Sequence, residues 1–236
     1  MNKAAILAAG DGLRIKSIAP YKPIVKINGT PLLELTLKNL HFKNFKNICI
    51  IFNEAEKEMD LSLLPGLSSP GVNYFFKSTP SSMHSLYEVA QKLELKSGEH
   101  LFVSMVDSIV IPLEAQNFHQ FCLTLKSDES ALLVTSFIED EKPLTLKINE
   151  QGYITEFQCP IEDGVLITSG VYYFSENIFP LLLEMINEGQ TKMRNFLTEL
   201  VKHNHKIKIF ESLKTLDIDR PEDIHSAEAF LKGQAL

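Results

Sequence analysis

Two glycines that directly follow an apolar run are the residues of this chain best suited to chemistry on phosphate. Residues 4–9 are apolar and predict a buried strand, and Gly10 and Gly12 come next. Glycines permit tight turns and leave no side chain in the way of an anion, so the N–H groups of this loop can face one. Arg14 and Lys22 then supply the positive charge that several phosphate oxygens require. The pattern predicts a loop that binds a triphosphate.

The spacing matches neither of two well-known phosphate loops. A dinucleotide-binding loop needs a third glycine where this chain has Ile15, and a P-loop needs Gly-Lys-Ser or Gly-Lys-Thr, which does not occur. A purely structural interpretation stays open, in which the glycines only shape a turn from a strand into a helix. The basic residues downstream favour phosphate binding over that alternative.

A longer stretch of motifs surrounds this loop. Residues 7–14 read Leu-Ala-Ala-Gly-Asp-Gly-Leu-Arg, Lys22-Pro23 follows Pro20 and Tyr21, and residues 28–32 read Asn-Gly-Thr-Pro-Leu. This pattern resembles the N-terminal region of the sugar-phosphate nucleotidyltransferases. The resemblance implies catalytic roles for Arg14 and Lys22. It also implies nucleotide binding by the loop residues Leu7, Ala8, Ala9, Gly10, Asp11 and Gly12.

The order of the expected elements predicts an α/β fold. Strands are expected at 4–9, 47–53, 72–76 and 99–106, with helices over 30–40 and from about 83, a spacing typical of βαβ units. Short strands follow at 131–138, 144–148, 153–157 and 165–174, then helices near 176–188 and 195–204 and a strand at 206–211. We expect a Rossmann-like, mainly parallel sheet with helices on both faces and an antiparallel extension on the acceptor side, similar to the glycosyltransferase-A fold.

Composition limits the function further. The chain has 236 residues and no linker-like segment, so we expect one domain over 1–236, with a nucleotide-binding half at 1–127 and an acceptor-binding half with a C-terminal metal segment at 128–236. A net charge of −7 argues against nucleic acid as a partner. Three unpatterned cysteines, no signal-peptide pattern and no spanning apolar run predict a cytoplasmic protein without a membrane partner.

Acidic residues at two places predict a metal site. Asp107 directly follows the apolar run 101–106, where open α/β sheets bind their ligands. Asp217 and Asp219 belong to a C-terminal segment that resembles a metal-binding segment of the family, and the resemblance implies that Asp107 and one of these two hold Mg²⁺. Mg²⁺ is usually held by one or two carboxylates with water and phosphate. Asp219 could instead cap the helix that follows, with Glu222 as its capping-box partner.

The remaining candidate residues rest on the resemblance. Ser81 and Ser82 lie in a serine-rich turn at 78–85 that corresponds in position to the loop that reads the nucleobase. On the acceptor side the corresponding positions are Glu156, Thr168, Gly170 and Arg194. Gln158-Cys159-Pro160 stands where the family often has Glu-Lys-Pro, which weakens the case for a hexose 1-phosphate.

The combined interpretation is a Mg²⁺-dependent nucleotidyltransferase that acts in NDP-sugar biosynthesis. It would move a nucleoside monophosphate from an NTP to a phosphorylated small molecule, with a sugar 1-phosphate as the first candidate, and release pyrophosphate. Three alternatives remain: a cytidylyltransferase acting on a phospho-alcohol such as phosphocholine, a molybdopterin-type nucleotidyltransferase, and a nucleotide-binding regulatory domain without catalysis.

Overall fold

A computed structural model describes residues 3–41, 45–139, 142–162 and 164–233. The strands in chain order are β1 Lys3–Ala8, β2 Lys26–Ile27, β3 Thr30–Pro31, β4 Asn47–Phe52, β5 Val72–Phe76, β6 His100–Met105, β7 Ser108–Ile109, β8 Glu129–Thr135, β9 Thr145–Ile148, β10 Ile154–Phe157, β11 Leu166–Ser175, β12 Lys206–Ser212 and β13 Leu216–Asp217. The helices are α1 Leu32–His41, α2 Ser82–Leu93, α3 Pro112–Cys122, α4 Phe179–Asn187, α5 Met193–Lys202 and α6 Pro221–Lys232.

One mixed sheet organises the molecule. Its strand order is β10-β9-β11-β6-β1-β4-β5, and β8 joins it beside β11. The strands β6, β1, β4 and β5 are parallel to one another, whereas β11 is antiparallel to β6, β8 and β9. The expected α/β class, with a parallel part and an antiparallel extension, is confirmed. The extension also contains a parallel pair, because β12 returns alongside β8.

Two apolar clusters cover the two faces of the sheet. Alternate residues of β1 point to opposite faces, so Ile6 belongs to the cluster that includes Leu37 of α1, and Leu7 to the cluster that includes Leu86 of α2. Helices α3 and α6 contribute to the first cluster, and α4 and α5 to the second. This arrangement confirms helices on both faces and leaves the carboxyl ends of the parallel strands open to a ligand.

The region after β1 departs from the expected helix over 30–40. Thr30 and Pro31 pair with Lys26 and Ile27 in a two-stranded ribbon, and α1 begins at Leu32. The ribbon turns at Asn28 and Gly29, which both have positive φ, as an Asn-Gly hairpin turn requires. Two short 3₁₀ turns, at Leu13–Ile15 and Lys22–Ile24, follow the glycine loop. The loop therefore does not lead from β1 straight into an α-helix.

None of the described helices combines the length and the apolar character needed to cross a membrane.

Candidate active site

The glycine loop forms one wall of an open cleft at the carboxyl end of β1. Most of the residues predicted for triphosphate binding line it: Leu7, Ala8, Gly10, Asp11, Gly12, Arg14 and Lys22. Met105, Asp107 and Asp219 line the same cleft from the neighbouring elements. Because β1 and β6 are adjacent and parallel, the loops after them meet at this edge.

The structure requires a glycine at position 12 but not at position 10. Gly12 has a φ of +55°, in the left-handed region, and a Cβ added there would lie 3.1 Å from Lys22 Cβ. A Cβ on Gly10 would meet nothing within 4 Å, so the fold itself does not need a glycine there. Among the described residues, no hydrogen-bond acceptor is found for the N–H groups of residues 10–13. Open space and available donors together are what an anion-binding loop needs.

Lys22 joins two of the predicted carboxylates. Its Nζ donates to Asp107 Oδ2 at 2.5 Å and to Asp219 Oδ1 at 2.9 Å. Arg14 Nη2 donates to the other oxygen of Asp219 at 2.9 Å. Burial works against the charge on Lys22, but Asp107 and Asp219 outweigh it and raise the pKa of the ammonium. Desolvation likewise opposes the charge on Asp219, whereas Lys22 and Arg14 hold its pKa below the usual range.

Asp217 occupies a different position from Asp219. The buried Ile218 separates them, and both side chains line the cleft. Asp217 Oδ1 accepts a hydrogen bond from Ser108 Oγ at 3.0 Å. Desolvation and the nearby charge of Asp107 raise the pKa of Asp217 above its ordinary range, against the hydrogen bond from Ser108. Of the two C-terminal carboxylates, Asp219 is the one that contacts the Lys22 ammonium together with Asp107.

The capping box proposed for Asp219 and Glu222 is not formed. Asp223 Oδ2 accepts the N–H groups of Asp219 and Arg220, at 2.8 and 2.7 Å, and so caps α6. Asp223 is the third residue of α6, so its side chain reaches back to the residues that precede the helix. The Asp219 side chain bonds to Lys22 and Arg14.

The cleft continues past Asp107 and Asp219 onto the antiparallel extension. Ser81 and Ser82, at the start of α2, lie on this part together with Thr168, Gly170 and Arg194. Arg194 Nη2 donates to the carbonyl of Lys142 at 3.0 Å. The residues predicted to bind the triphosphate thus line one part of the cleft, whereas Ser81 and Ser82 line the other part with the predicted acceptor residues. The two parts share Met105, Asp107 and Asp219.

Gly170 lies where β11 crosses close to the carboxylates. Its φ is +73°, and an added Cβ would overlap Ser108 Oγ. The pairing of β11 with β8 shifts register between Thr168 and Tyr172, which is the sign of a bulge. The close packing against Ser108 thus explains why position 170 is a glycine. The resemblance implies a second reason, which is room for the acceptor.

Two predicted residues are not brought to the cleft surface. Ala9 is 6 % exposed and its carbonyl accepts a hydrogen bond from Asn53. Glu156 is exposed on β10 and does not line either part of the cleft. A register shift between Ile154 and Glu156 leaves Ile154 and Phe157 as the buried residues of β10, so Glu156 points outward.

Two lysines that were not predicted from the sequence lie beside Arg194 in the acceptor part of the cleft. Together the three residues form its basic wall. Lys142 and Lys192 both line this part beside Arg194. Lys192 is visible in the sequence as a neighbour of Arg194, whereas Lys142 is distant in sequence and its carbonyl accepts a hydrogen bond from Arg194 in the folded chain. Among the described residues, no set of three or more His, Cys, Asp or Glu side chains could hold a metal ion unaided.

The sequence comparisons identify relatives of one kind. The model of the nucleotidyl transferase family matches residues 3–234. A bifunctional sugar-1-phosphate nucleotidylyltransferase/acetyltransferase of Sulfurisphaera tokodaii is 23 % identical over 234 residues, which cover 94 % of this chain and 53 % of that protein. The chain therefore spans about half the length of that relative.

The structural comparisons agree on the fold. An inositol-1-phosphate CTP transferase from T. maritima superimposes with a TM-score of 0.77 at 20 % identity, covering 98 % of this chain and 96 % of that one. A CTP:phosphocholine cytidylyltransferase from Streptococcus pneumoniae superimposes with a TM-score of 0.72 at 21 % identity, covering 98 % and 100 %. At these identities the likeness shows a shared fold.

Proposed function

Because this chain belongs to the nucleotidyl transferase family, we propose that it transfers a nucleoside monophosphate from an NTP to a phosphorylated small molecule and releases pyrophosphate. In this proposal residues 1–127 bind the NTP, and residues 128–236 bind the acceptor and supply the C-terminal metal ligand. Buried, unpaired Cys49, Cys122 and Cys159 fit a reducing cytoplasm.

One observation carries the proposal: the convergence of Asp107 and Asp219 on Lys22 beside the glycine loop. Nucleotide binding alone needs the loop and the basic residues, and two carboxylates aimed at one cationic point add a place for the cation that phosphoryl transfer uses. Negative charge in a triphosphate site weakens binding unless a cation is held there. The arrangement therefore favours phosphoryl-transfer chemistry over simple binding.

The residues also fit the divalent cation that this family implies. The Lys22 ammonium already stands as a cation between Asp107 and Asp219, at 2.5 and 2.9 Å. We assign these two carboxylates as the ligands of Mg²⁺, with water and phosphate oxygens completing its shell. When bound, Mg²⁺ neutralises phosphate charge in the transition state.

The reaction is written as an in-line displacement at the α-phosphorus. An oxygen of the acceptor phosphate forms the new P–O bond, and the bond from the α-phosphorus to the bridging oxygen breaks, so its electron pair leaves with pyrophosphate. The second pKa of a phosphate ester is about 6, so near neutral pH the acceptor needs no general base. Lys22 and Arg14 stabilise the charge that grows on the leaving group.

The lining of the acceptor part favours a phosphorylated sugar or polyol over phosphocholine. Lys142, Lys192 and Arg194 line it together with three carboxylates, Asp107, Asp217 and Asp219, and among its described lining residues Tyr172 is the only aromatic one. A quaternary ammonium is usually recognised by several aromatic faces, which the described lining of this part does not offer. The three cations suit the phosphate of an acceptor, and the polar residues suit its hydroxyl groups. We therefore propose a sugar 1-phosphate as acceptor, which makes the product an NDP-sugar.

The test is a matrix of substrates. Each of ATP, CTP, GTP, UTP and dTTP is incubated with glucose 1-phosphate, inositol 1-phosphate or phosphocholine and Mg²⁺, and pyrophosphate release is measured. We expect release with one NTP and a phosphorylated sugar or polyol, and little with phosphocholine. NTP binding by calorimetry without release from any pair would instead support the regulatory domain. Release with phosphocholine alone would contradict the acceptor assignment.

A further inference from the structure

The Asn53 side chain lies between two parts of the proposed nucleotide site. It follows β4 directly, and β4 lies between β1 and β5 in the sheet. The glycine loop leaves the end of β1, and the turn that holds Ser78 leaves the end of β5. Asn53 is 7 % exposed, so its amide must find its hydrogen bonds within the protein.

Every hydrogen-bonding position of this amide is used. Asn53 Nδ2 donates to the carbonyl of Ala9 at 3.0 Å and to Asp11 Oδ1 at 3.2 Å. Its Oδ1 accepts from the N–H of Ala55 and from Ser78 Oγ, both at 3.0 Å. A carbonyl and a carboxylate can only accept, and a backbone N–H can only donate, so these partners fix the orientation of the amide. One end of the side chain holds the glycine loop and the other holds the turn.

The backbone of Asn53 is fixed as well. Its N–H donates to Glu56 Oε2 at 3.0 Å, and its carbonyl accepts from the N–H of Glu56 at 3.0 Å. Glu56 is itself 4 % exposed. Asn53 is therefore held rigidly at the end of β4, which makes it a fixed point between the two loops.

We propose that Asn53 is a positioning residue that sets the distance between the triphosphate loop and the turn that reads the nucleobase. This inference rests on the proposed function, in which residues 10–14 bind phosphate and the turn at 78–82 faces the base. An NTP spans both segments. If their separation is fixed, the choice among bases depends on Asn53 although Asn53 itself touches neither base nor phosphate.

Two substitutions test separately the contacts of Asn53 with the glycine loop and with the turn. Asn53→Asp keeps the size and the acceptor oxygen toward Ser78, but it loses both donors and places a carboxylate against the Ala9 carbonyl and the Asp11 carboxylate. We expect the KM for the preferred NTP to rise about tenfold, because this repulsion moves the glycine loop from the position in which it binds phosphate. The acceptor KM should stay within about twofold. Ser78→Ala breaks only the contact to the turn, so it should lower the ratio of kcat/KM between the best and the second-best NTP by about threefold.

Asn73→Asp is the matched control. Asn73 is exposed on β5, and within the described part of the chain its side chain forms one hydrogen bond, from Nδ2 to Asn47 Oδ1 at 3.4 Å. This variant should keep all the kinetic constants of the wild type. Melting temperatures of all variants are measured in parallel, because a role confined to stability would lower Tm without changing the preference among NTPs.

The outcomes separate this inference from the proposed function. If the wild-type chain binds none of the five NTPs in calorimetry, the proposed function fails. If the wild type discriminates among NTPs, and Ser78→Ala and Asn53→Asp both keep its NTP preference and its NTP KM, the positioning role is overturned while the proposed function stands. Ser78→Ala keeps the test decisive even where Asn53→Asp does not fold.

Discussion

The substitution Lys22→Met probes the charge at the centre of the site. The side chain of Lys22 is 9 % exposed, and its ammonium lies 2.5 Å from Asp107 and 2.9 Å from Asp219. Methionine keeps most of the apolar stem, so the substitution removes mainly the charge. Loss of one preorganised charge from a phosphoryl-transfer site costs about 2–4 kcal/mol in transition-state stabilisation. Because so little water screens Lys22, we expect its effect to fall within that range.

This free energy corresponds to a loss in kcat/KM of about 30-fold to about 1,000-fold. The assay is pyrophosphate release at varied NTP with acceptor and Mg²⁺ saturating. Lys16→Met is the matched control, because Lys16 is an exposed lysine of the same segment and lies outside the cleft. Circular dichroism shows whether both variants fold. A folded Lys22→Met protein with kcat/KM within about twofold of the Lys16→Met control would refute the role given to Lys22.

Three further substitutions test other parts of the account. Arg194→Ala should raise the acceptor KM by about 10- to 150-fold, the value of one charge-assisted contact, and leave the NTP Kd unchanged; equal weakening of both substrates in calorimetry would contradict this. Gly10→Ala should weaken NTP binding and leave Tm unchanged, because the added Cβ meets no protein atom within 4 Å and enters the space proposed for phosphate. Gly12→Ala should lower the stability by about 1 kcal/mol, because its φ of +55° disfavours a side chain, and the added Cβ should disturb Lys22. Equal losses of Tm in the two variants would contradict this distinction. Burial raises the pKa of Glu56 from 4.5 to about 7, so the stabilising contribution of its protonated form is complete below pH 4.5 and is lost as the pH rises to 7. Relative to the wild type, Glu56→Gln should therefore gain stability between pH 4.5 and pH 7, by at most about 3 kcal/mol. A stability difference between the two proteins that stays constant with pH in urea unfolding would contradict this prediction.

The sequence predicted most of the fold because its main signals are local. The apolar runs of β1, β4, β5 and β6 and the following polar residues indicate strands of a parallel sheet without any knowledge of their partners. The position of Asp107 could be predicted for the same reason, since the carboxyl ends of parallel strands meet at one edge. The structure brings Asp107 and Asp219 together although 112 residues separate them in the sequence.

The features that the sequence did not predict depend on contacts that are distant in sequence or on an overlooked turn. The Asn28-Gly29 hairpin turn was a local signal, and it competes with the helix start expected at Thr30. By contrast, the pairing of β12 with β8 joins segments separated by about 70 residues, and hydrophobic patterns do not specify partners. The outward position of Glu156 depends on a register shift, which reverses the side a residue faces.

The position of Asn53 in the sequence carries a signal that could have marked it as a candidate site residue. It follows the apolar strand β4 as Asp107 follows β6, and polar residues at such ends are candidates for a site. Its amide carries no charge and suggests no chemistry of its own, so nothing in the residue type singles it out. The role proposed for Asn53 rests on its four side-chain hydrogen-bond partners, which only the packed structure reveals.

The most direct test of the central claim follows the oxygen atoms of the acceptor. The preferred acceptor is prepared with ¹⁸O in its phosphate, incubated with the preferred NTP and Mg²⁺, and the products are analysed by ³¹P NMR and mass spectrometry. Attack of the acceptor phosphate on the α-phosphorus predicts that all of the label taken from the acceptor appears in the NDP-sugar product and none in pyrophosphate. Label in pyrophosphate, or an NTP that is only hydrolysed, would contradict nucleotidyl transfer by this site.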